Sequence, residues 1–141
     1  MNFKTATIVA TTAVMTAACC PCRKAASNSA DLSGTTWKAV MLDINGTNTT
    51  IAPDAEGYTF IIDGTSFSGV ADCNSYFGTI TENKGKIEVS NMGSTKAMCH
   101  NQEREDMFLQ IIGSANGYSI EGDKLMLTQN GRARAIFKAQ K

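Results

Sequence analysis

The feature that most constrains the fold is the frequent interruption of short apolar runs by Gly, Asn and Asp after residue 32. Short runs bounded by such turn residues are typical of antiparallel hairpins rather than of helix bundles. The turns "DGT" and "NKG" each join two runs of this kind. The stretch "YSIEGDKLMLTQNGRARAIFKA" holds three further strands around two turns. With a first strand near "TTWKAVML", the pattern predicts about eight strands.

One segment, "NQEREDMFLQIIG", breaks this pattern and predicts an amphipathic helix over about residues 101–112. Asn101 is a suitable N-cap, and Gly113 is a suitable C-terminal stop. Acidic residues occupy the first turns, where the helix dipole favours negative charge; they are Glu103, Glu105 and Asp106. The apolar stripe of the helix consists of Met107, Phe108, Ile111 and Ile112.

A helix and a sheet that each have one apolar face must cover one another. We therefore predict a mainly β fold of the α+β class. Its antiparallel strands form a curved sheet, or a partly closed barrel, wrapped around the single helix.

The amino terminus is a different kind of sequence. A short basic start precedes an uncharged run of 14 residues, "TATIVATTAVMTAA", which has the regions of a secretory signal. Thr16-Ala17-Ala18-Cys19 resembles the lipobox of bacterial lipoproteins, in which the cysteine is lipidated after cleavage. The predicted organisation is a signal peptide at 1–18, a lipidated tether at 19–31 and a folded domain at 32–141. The alternatives are a cleaved signal without lipid and a buried amino-terminal helix.

Charge and motifs exclude several classes of function. The 13 basic and 13 acidic residues balance, and no basic stripe suggests nucleic acid as a partner. The sequence has no G-x-S-x-G, P-loop or G-x-G-x-x-G motif. A single histidine, without a C-x-x-C pair in the domain, gives no zinc pattern, so we predict no metal and no cofactor.

Two of the five cysteines, Cys73 and Cys99, lie in the predicted domain, whereas Cys20 and Cys22 lie in the tether beside Cys19. In a secreted chain the domain pair is expected to form a disulfide. Two buried free thiols, acting as small apolar side chains, are the first alternative. The second is a functional thiol, since "CHN" places a histidine and an asparagine directly after Cys99.

With these residues in view, the chain resembles the META domain, or HslJ-like, family. "LSGTTW" is similar to its opening strand, "GVADCNSYFG" to its G-x-x-x-C-N-x-x-x-G segment, and "GSTKAMC" to its T-x-M-A-C segment. A helix with "E-x-x-F-L" character and a final hairpin follow. The matching motif positions are Trp37, Gly69, Cys73, Asn74, Gly78, Thr95, Met98 and Cys99.

The resemblance implies antiparallel strands curled around one helix, related in shape to small lipocalin-like barrels. It also implies a small bacterial envelope protein, often lipid-anchored, in a family partly linked to heat shock and without established enzymatic activity. The motif positions are then structural: Cys73 and Cys99 are brought together, and Asn74 and Thr95 satisfy buried backbone near that junction.

The leading functional hypothesis is a non-enzymatic, lipid-anchored envelope protein that faces the periplasm. Its domain acts as a binding or stress-protective module for a peptide, a protein or an apolar ligand. Tyr76 and Phe77 are the candidate binding residues, since a turn after Asn74 can present one of them outward. The alternatives are an envelope thiol or redox enzyme that uses Cys73 or Cys99, and a secreted inhibitor of a hydrolase.

Overall fold

The computed structural model of the protein describes residues 29–141. The predicted signal peptide lies outside the described residues, and so do the three cysteines of the predicted tether, Cys19, Cys20 and Cys22. The strands are β1 (Thr36–Ile44), β2 (Thr47–Thr50), β3 (Thr59–Asp63), β4 (Ser66–Val70), β5 (Ser75–Asn83), β6 (Lys86–Ser94), β7 (Gly117–Glu121), β8 (Lys124–Gln129) and β9 (Arg132–Ala139). The helix α1 spans Gln102–Ser114.

The nine strands form one curved, ring-like antiparallel sheet. Their order is β2-β1-β3-β4-β5-β6-β7-β8-β9, and β1 also pairs with β9, which closes the strands from β1 to β9 into a ring and leaves β2 as an extension beside β1. In this pairing Trp37 lies opposite Ala139 and Leu42 opposite Ala135. Asp43 of β1 is buried and forms an ion pair at 3.0 Å with Arg132 of β9. The predicted mainly β fold with a single helix is confirmed.

Three of the hairpin turns explain why short runs and turn residues alternate in the sequence. Asn45-Gly46, Lys84-Gly85 and Asn130-Gly131 each have two successive residues at positive φ. Two such residues match the right-handed twist of the flanking strands, and this favours Asn and Gly at these positions. The first of these turns separates β2 from β1. The predicted short continuation of the first strand is therefore a strand of its own, β2, and the sheet has nine strands instead of about eight.

The helix differs from its prediction at the carboxyl end. Asn101 is the N-cap, and its side chain accepts a hydrogen bond from the Arg104 N–H at 3.4 Å. Gly113 does not end the helix, which continues to Ser114. The chain leaves through Ala115 in an extended conformation and enters β7 directly, so no left-handed glycine is needed at the end. Gly113 instead gives room to Met92, whose Cε would lie 3.2 Å from a β-carbon there.

The interior of the ring is filled by aromatic side chains around Phe108 of the helix. The Phe108 ring lies 5.4 Å from Tyr58, 5.7 Å from Tyr76 and 6.2 Å from Phe137. Both tyrosine contacts are edge-to-face, the arrangement that ring quadrupoles favour. Trp37 is also fully buried, and its indole N–H donates to the Leu32 carbonyl at 3.1 Å. The helix therefore packs its apolar side into the ring.

Candidate functional site

The predicted disulfide between Cys73 and Cys99 is present. It joins the bend between β4 and β5 to the segment that precedes the helix, across a sequence separation of 26 residues. The two Cα atoms are 5.5 Å apart, within the usual range for a disulfide. Cys73 is exposed, whereas Cys99 is half-buried. Cys73 is therefore the more accessible half of the disulfide.

The carboxylate of Glu105 lies directly beneath this disulfide. The residue is 2% exposed, although glutamate is seldom fully buried. Its Oε2 accepts the backbone N–H groups of Cys73 and Asn74, each at 3.3 Å. The same oxygen lies 2.8 Å from Sγ of Cys99. Glu105 thus contacts both halves of the disulfide, through the backbone of one cysteine and the sulfur of the other.

Asn74, also buried, connects the bend to the segment before the helix. Its Nδ2 donates to Oε1 of Glu105 at 2.6 Å and to the Ala97 carbonyl at 2.9 Å. Its Oδ1 accepts the Ala97 N–H at 2.7 Å and the Thr95 hydroxyl at 2.8 Å. The Thr95 oxygen in turn accepts the Ser75 N–H at 3.1 Å. We refer to Cys73, Asn74, Thr95, Cys99 and Glu105 as the clasp.

Burial of a carboxylate is unfavourable unless hydrogen bonds replace its hydration. Among residues 29–141, no ion pair involves Glu105. Three N–H groups from Cys73 and Asn74 stabilise it instead, and its position in the first turns of the helix places it in the favourable field of the helix dipole. The carboxyl group is therefore held by oriented N–H groups rather than by a partner of opposite charge.

Sequence reasoning placed Glu105 among the acidic residues of the first helical turns and missed its burial. A signal for the burial is present in the sequence. Glu105 shares the i, i+3, i+4, i+7 spacing with Phe108, Leu109 and Ile112, all of which are buried. Met107, which we assigned to the apolar stripe, is instead partly exposed. The position of Glu105 on the same helical face as these apolar residues is the sequence signal that indicates its burial.

A cavity of about 390 Å³ lies beside Cys73. Its lining includes Cys73, His100, Arg104, Tyr58 and Asp72. The Tyr58 hydroxyl donates to Oδ1 of Asp72 at 3.0 Å. Burial and this carboxylate raise the pKa of Tyr58 to about 12. His100 and Cys73 thus line one cavity, but both domain sulfurs are engaged in the disulfide.

The two aromatic residues after the clasp have different environments. Tyr76 is 1% exposed, and its hydroxyl donates to the Thr59 carbonyl at 2.5 Å. Phe77 is 58% exposed and lies over Gly93 on the outer face of the sheet. The structure thus places Tyr76 in the core, because alternate residues of a strand face opposite sides, and leaves Phe77 at the surface.

The remaining motif positions divide into packed and exposed residues. A β-carbon at Gly69 would collide with the Thr59 carbonyl oxygen and the Tyr76 ring. A β-carbon at Gly78 would collide with the Phe67 ring. These two glycines allow close approach of neighbouring groups. Met98, for which the resemblance implied a structural role, is 98% exposed and contributes nothing to the core.

The model of the META domain family matches residues 30–141. The chain belongs to the META domain family. An NMR structure of a protein from Burkholderia xenovorans is similar with a TM-score of 0.63 and 19% identity, covering 78% of this chain and 84% of that one. A second NMR structure gives a TM-score of 0.55 and 17% identity, with coverage of 74% and 87%. At these identities the likeness shows the META fold alone.

Two negative findings accompany this assignment. No curated protein shows significant similarity to the chain. Within the part of the META protein that the structure describes, no helix has the length and apolar character needed to cross a membrane.

Proposed function

We propose that this META domain protein is a non-enzymatic, lipid-anchored protein of the bacterial envelope. Its domain serves as a rigid binding or stress-protective module outside the cytoplasm. The observation that carries the proposal is the Cys73–Cys99 disulfide, because disulfides form and persist in oxidising compartments. The signal-like segment and the lipobox-like "TAAC" at the amino terminus agree with that location.

The binding surface of this proposal is the outer face of β4 and β5. The register pairs Ser68 with Phe77 and Val70 with Ser75, so Val70 and Phe77 are diagonal neighbours on one face. Both side chains are exposed, Val70 at 36% and Phe77 at 58%. Because aromatic side chains fill the interior, an apolar or peptide partner is expected on this outer face rather than inside the ring.

The location is tested in bacteria that express the full chain. A clickable fatty acid should label the protein, and the label should be lost in Cys19→Ser and retained in Cys20→Ser. Membrane fractionation should follow the same pattern. If Cys19→Ser still carries the label and still sediments with membranes, Cys19 is not the anchor and the proposed lipidation is incorrect.

The binding surface is tested by photo-crosslinking. A benzoyl-phenylalanine replaces Phe77 and, in a matched control, replaces the exposed Lys124 on a distant hairpin. A product specific to position 77 that is weakened by Val70→Ser supports the outer face as the binding surface. Equal products from both positions would contradict it.

The exposure of Cys73 beside a cavity favours a thiol or redox function as the second candidate. Intact mass measurement after alkylation without reductant separates the two proposals. The non-enzymatic proposal expects Cys73 and Cys99 to remain unmodified under these conditions, whereas a resting thiol enzyme expects an alkylated Cys73.

A further inference from the structure

The clasp contains one contact that a disulfide does not explain. Oε2 of Glu105 lies 2.8 Å from Sγ of Cys99, yet the sulfur of a disulfide carries no hydrogen to donate. Both oxygens of Glu105 already accept N–H groups, so the disulfide leaves this contact without the thiol donor that a free cysteine would supply. A proton or a cation between them would turn this contact into a favourable one. Reduction of the disulfide creates that possibility.

We propose that the reduced protein binds a divalent cation with affinity for sulfur, of the Zn²⁺ type, through Cys73, Cys99 and Glu105. One ligand atom from each of these residues lies within 4.8 Å of the other two. In a tetrahedral zinc site with bonds of about 2.0–2.3 Å, ligand atoms are about 3.5–3.8 Å apart. The three residues therefore need only small side-chain movements, once the sulfur–sulfur bond is broken, to surround one ion.

The surroundings of the three ligands suit a metal site. The Glu105 carboxylate is oriented by the N–H groups of Cys73 and Asn74, the kind of outer contact that fixes a ligand in place. Cys73 is exposed at the cavity, which gives the ion and a reductant a path to the sulfurs. The fourth position can be filled by water, which reaches Cys73 through the cavity.

The chemistry balances in two steps. A dithiol reductant gives two electrons and two protons to the Cys73–Cys99 bond, forming two thiols, and becomes a disulfide itself. One Zn²⁺ then displaces both thiol protons. Two thiolates and the Glu105 carboxylate carry three negative charges, so the complex has a charge of −1.

The preference for a sulfur-binding cation follows from the ligand types. Thiolates select zinc and similar ions, whereas magnesium and calcium take oxygen ligands at six or more positions. Sequence spacing cannot reveal this site, since its ligands come from three separated positions and follow no C-x-x-C pattern.

The test uses the full chain in which Cys19, Cys20 and Cys22 are replaced by serine, because "CCPC" itself offers sulfur ligands. The protein is reduced with a dithiol, freed of reductant without oxygen, and titrated with Co²⁺ and then Zn²⁺. We expect one equivalent of Co²⁺ per chain, a sulfur-to-cobalt charge-transfer band, and displacement by Zn²⁺. The oxidised protein should show none of these signals.

Variants separate the three-ligand site from adventitious binding. Glu105→Gln should weaken Zn²⁺ binding by at least about tenfold, the smallest effect typical of even an outer-shell partner. Glu103→Gln changes an exposed carboxylate in the same helical turn and should leave the affinity unchanged. Cys73→Ser should abolish the one-equivalent band.

Circular dichroism of each reduced variant establishes that the fold is retained. If Glu105→Gln does not fold, Cys73→Ser, which changes an exposed residue, decides the outcome. The absence of a one-equivalent cobalt signal in the folded, reduced protein would overturn the proposal. Unchanged affinity in a folded Glu105→Gln variant would overturn it as well. The proposed envelope function concerns the oxidised protein and does not depend on either result.

Discussion

The clasp should contribute a large share of the stability of the domain, and two double variants measure that contribution. Cys73→Ala/Cys99→Ala removes the covalent link between residues 26 positions apart. In the chain-entropy model, a link of that length lowers the entropy of the unfolded chain by about 12 cal/mol/K, or roughly 3.5 kcal/mol at 25 °C. We therefore expect the free energy of unfolding to fall by about 3–4 kcal/mol.

The second variant, Cys73→Ala/Cys99→Ser, isolates the contact with Glu105. The serine hydroxyl can donate to Oε2, which lies 2.8 Å from the sulfur that it replaces. A hydrogen bond to a charged group contributes about 1.5–3 kcal/mol. This variant should therefore be more stable than the double alanine variant by about that amount, although it also lacks the disulfide.

Urea unfolding followed by tryptophan fluorescence is the assay. The chain has one tryptophan, Trp37, which is fully buried, so its emission reports on the folded core. A loss below about 1 kcal/mol in the double alanine variant would refute the entropic argument. Equal stability of the alanine and serine variants would refute the assigned position of the Glu105 carboxylate.

Three further predictions test other parts of the structure. Gly69→Ala should destabilise the domain by more than about 2 kcal/mol, because its β-carbon meets a backbone carbonyl. Gly113→Ala in the helix should change the stability by less than about 1 kcal/mol, because the gain in helix propensity is offset by the displacement of the exposed Met92 side chain. Thermal unfolding compares the pair, and a tolerated Gly69→Ala would contradict the close approach. Burial and Asp72 raise the pKa of Tyr58 to about 12, so the folded state retains a proton that the unfolded state releases above pH 10. The free energy of unfolding should therefore fall between pH 10 and about 12. In Tyr58→Phe this fall should be less steep. Urea midpoints measured against pH show the difference, and identical slopes would contradict the assignment. Phe77→Ala should cost less than about 1 kcal/mol of stability because the ring is largely exposed, and a loss comparable to a core phenylalanine would show that its outer face is covered.

Local signals determined how much of the fold could be predicted. Turn residues with positive φ, such as Asn45-Gly46 and Asn130-Gly131, mark hairpins because the backbone conformation itself restricts the residue types. The start of the helix was predictable for a similar reason, since Asn101 caps it through its own side chain. The end of the helix at Ser114 was not predictable. Gly113 suggested a terminating residue, but it lies inside the helix, where its missing side chain leaves room for Met92.

The candidate site was predictable only in part. The two cysteines of the domain and the secretory signal predicted the pairing of Cys73 with Cys99, and the resemblance to the META family supported it. The role of Glu105 depends on the tertiary arrangement that places the helix beneath the bend at Cys73, which no spacing within either segment encodes. That Tyr76 is buried and Phe77 exposed likewise follows from the strand register, which the motif leaves undetermined.

The pairing of β1 with β9 has a consequence for how the protein reaches its folded state. The first strand ends at Ile44 and its partner begins at Arg132, so nearly the whole domain must be synthesised before this seam can form. Pairings between such distant segments slow folding. Until β9 pairs with it, β1 has an unpaired edge and largely apolar side chains. Unpaired strand edges of this kind can pair with other chains and cause aggregation. During folding, therefore, the seam is the last part of the domain to be protected, and a chaperone that shields an extended strand would act on β1.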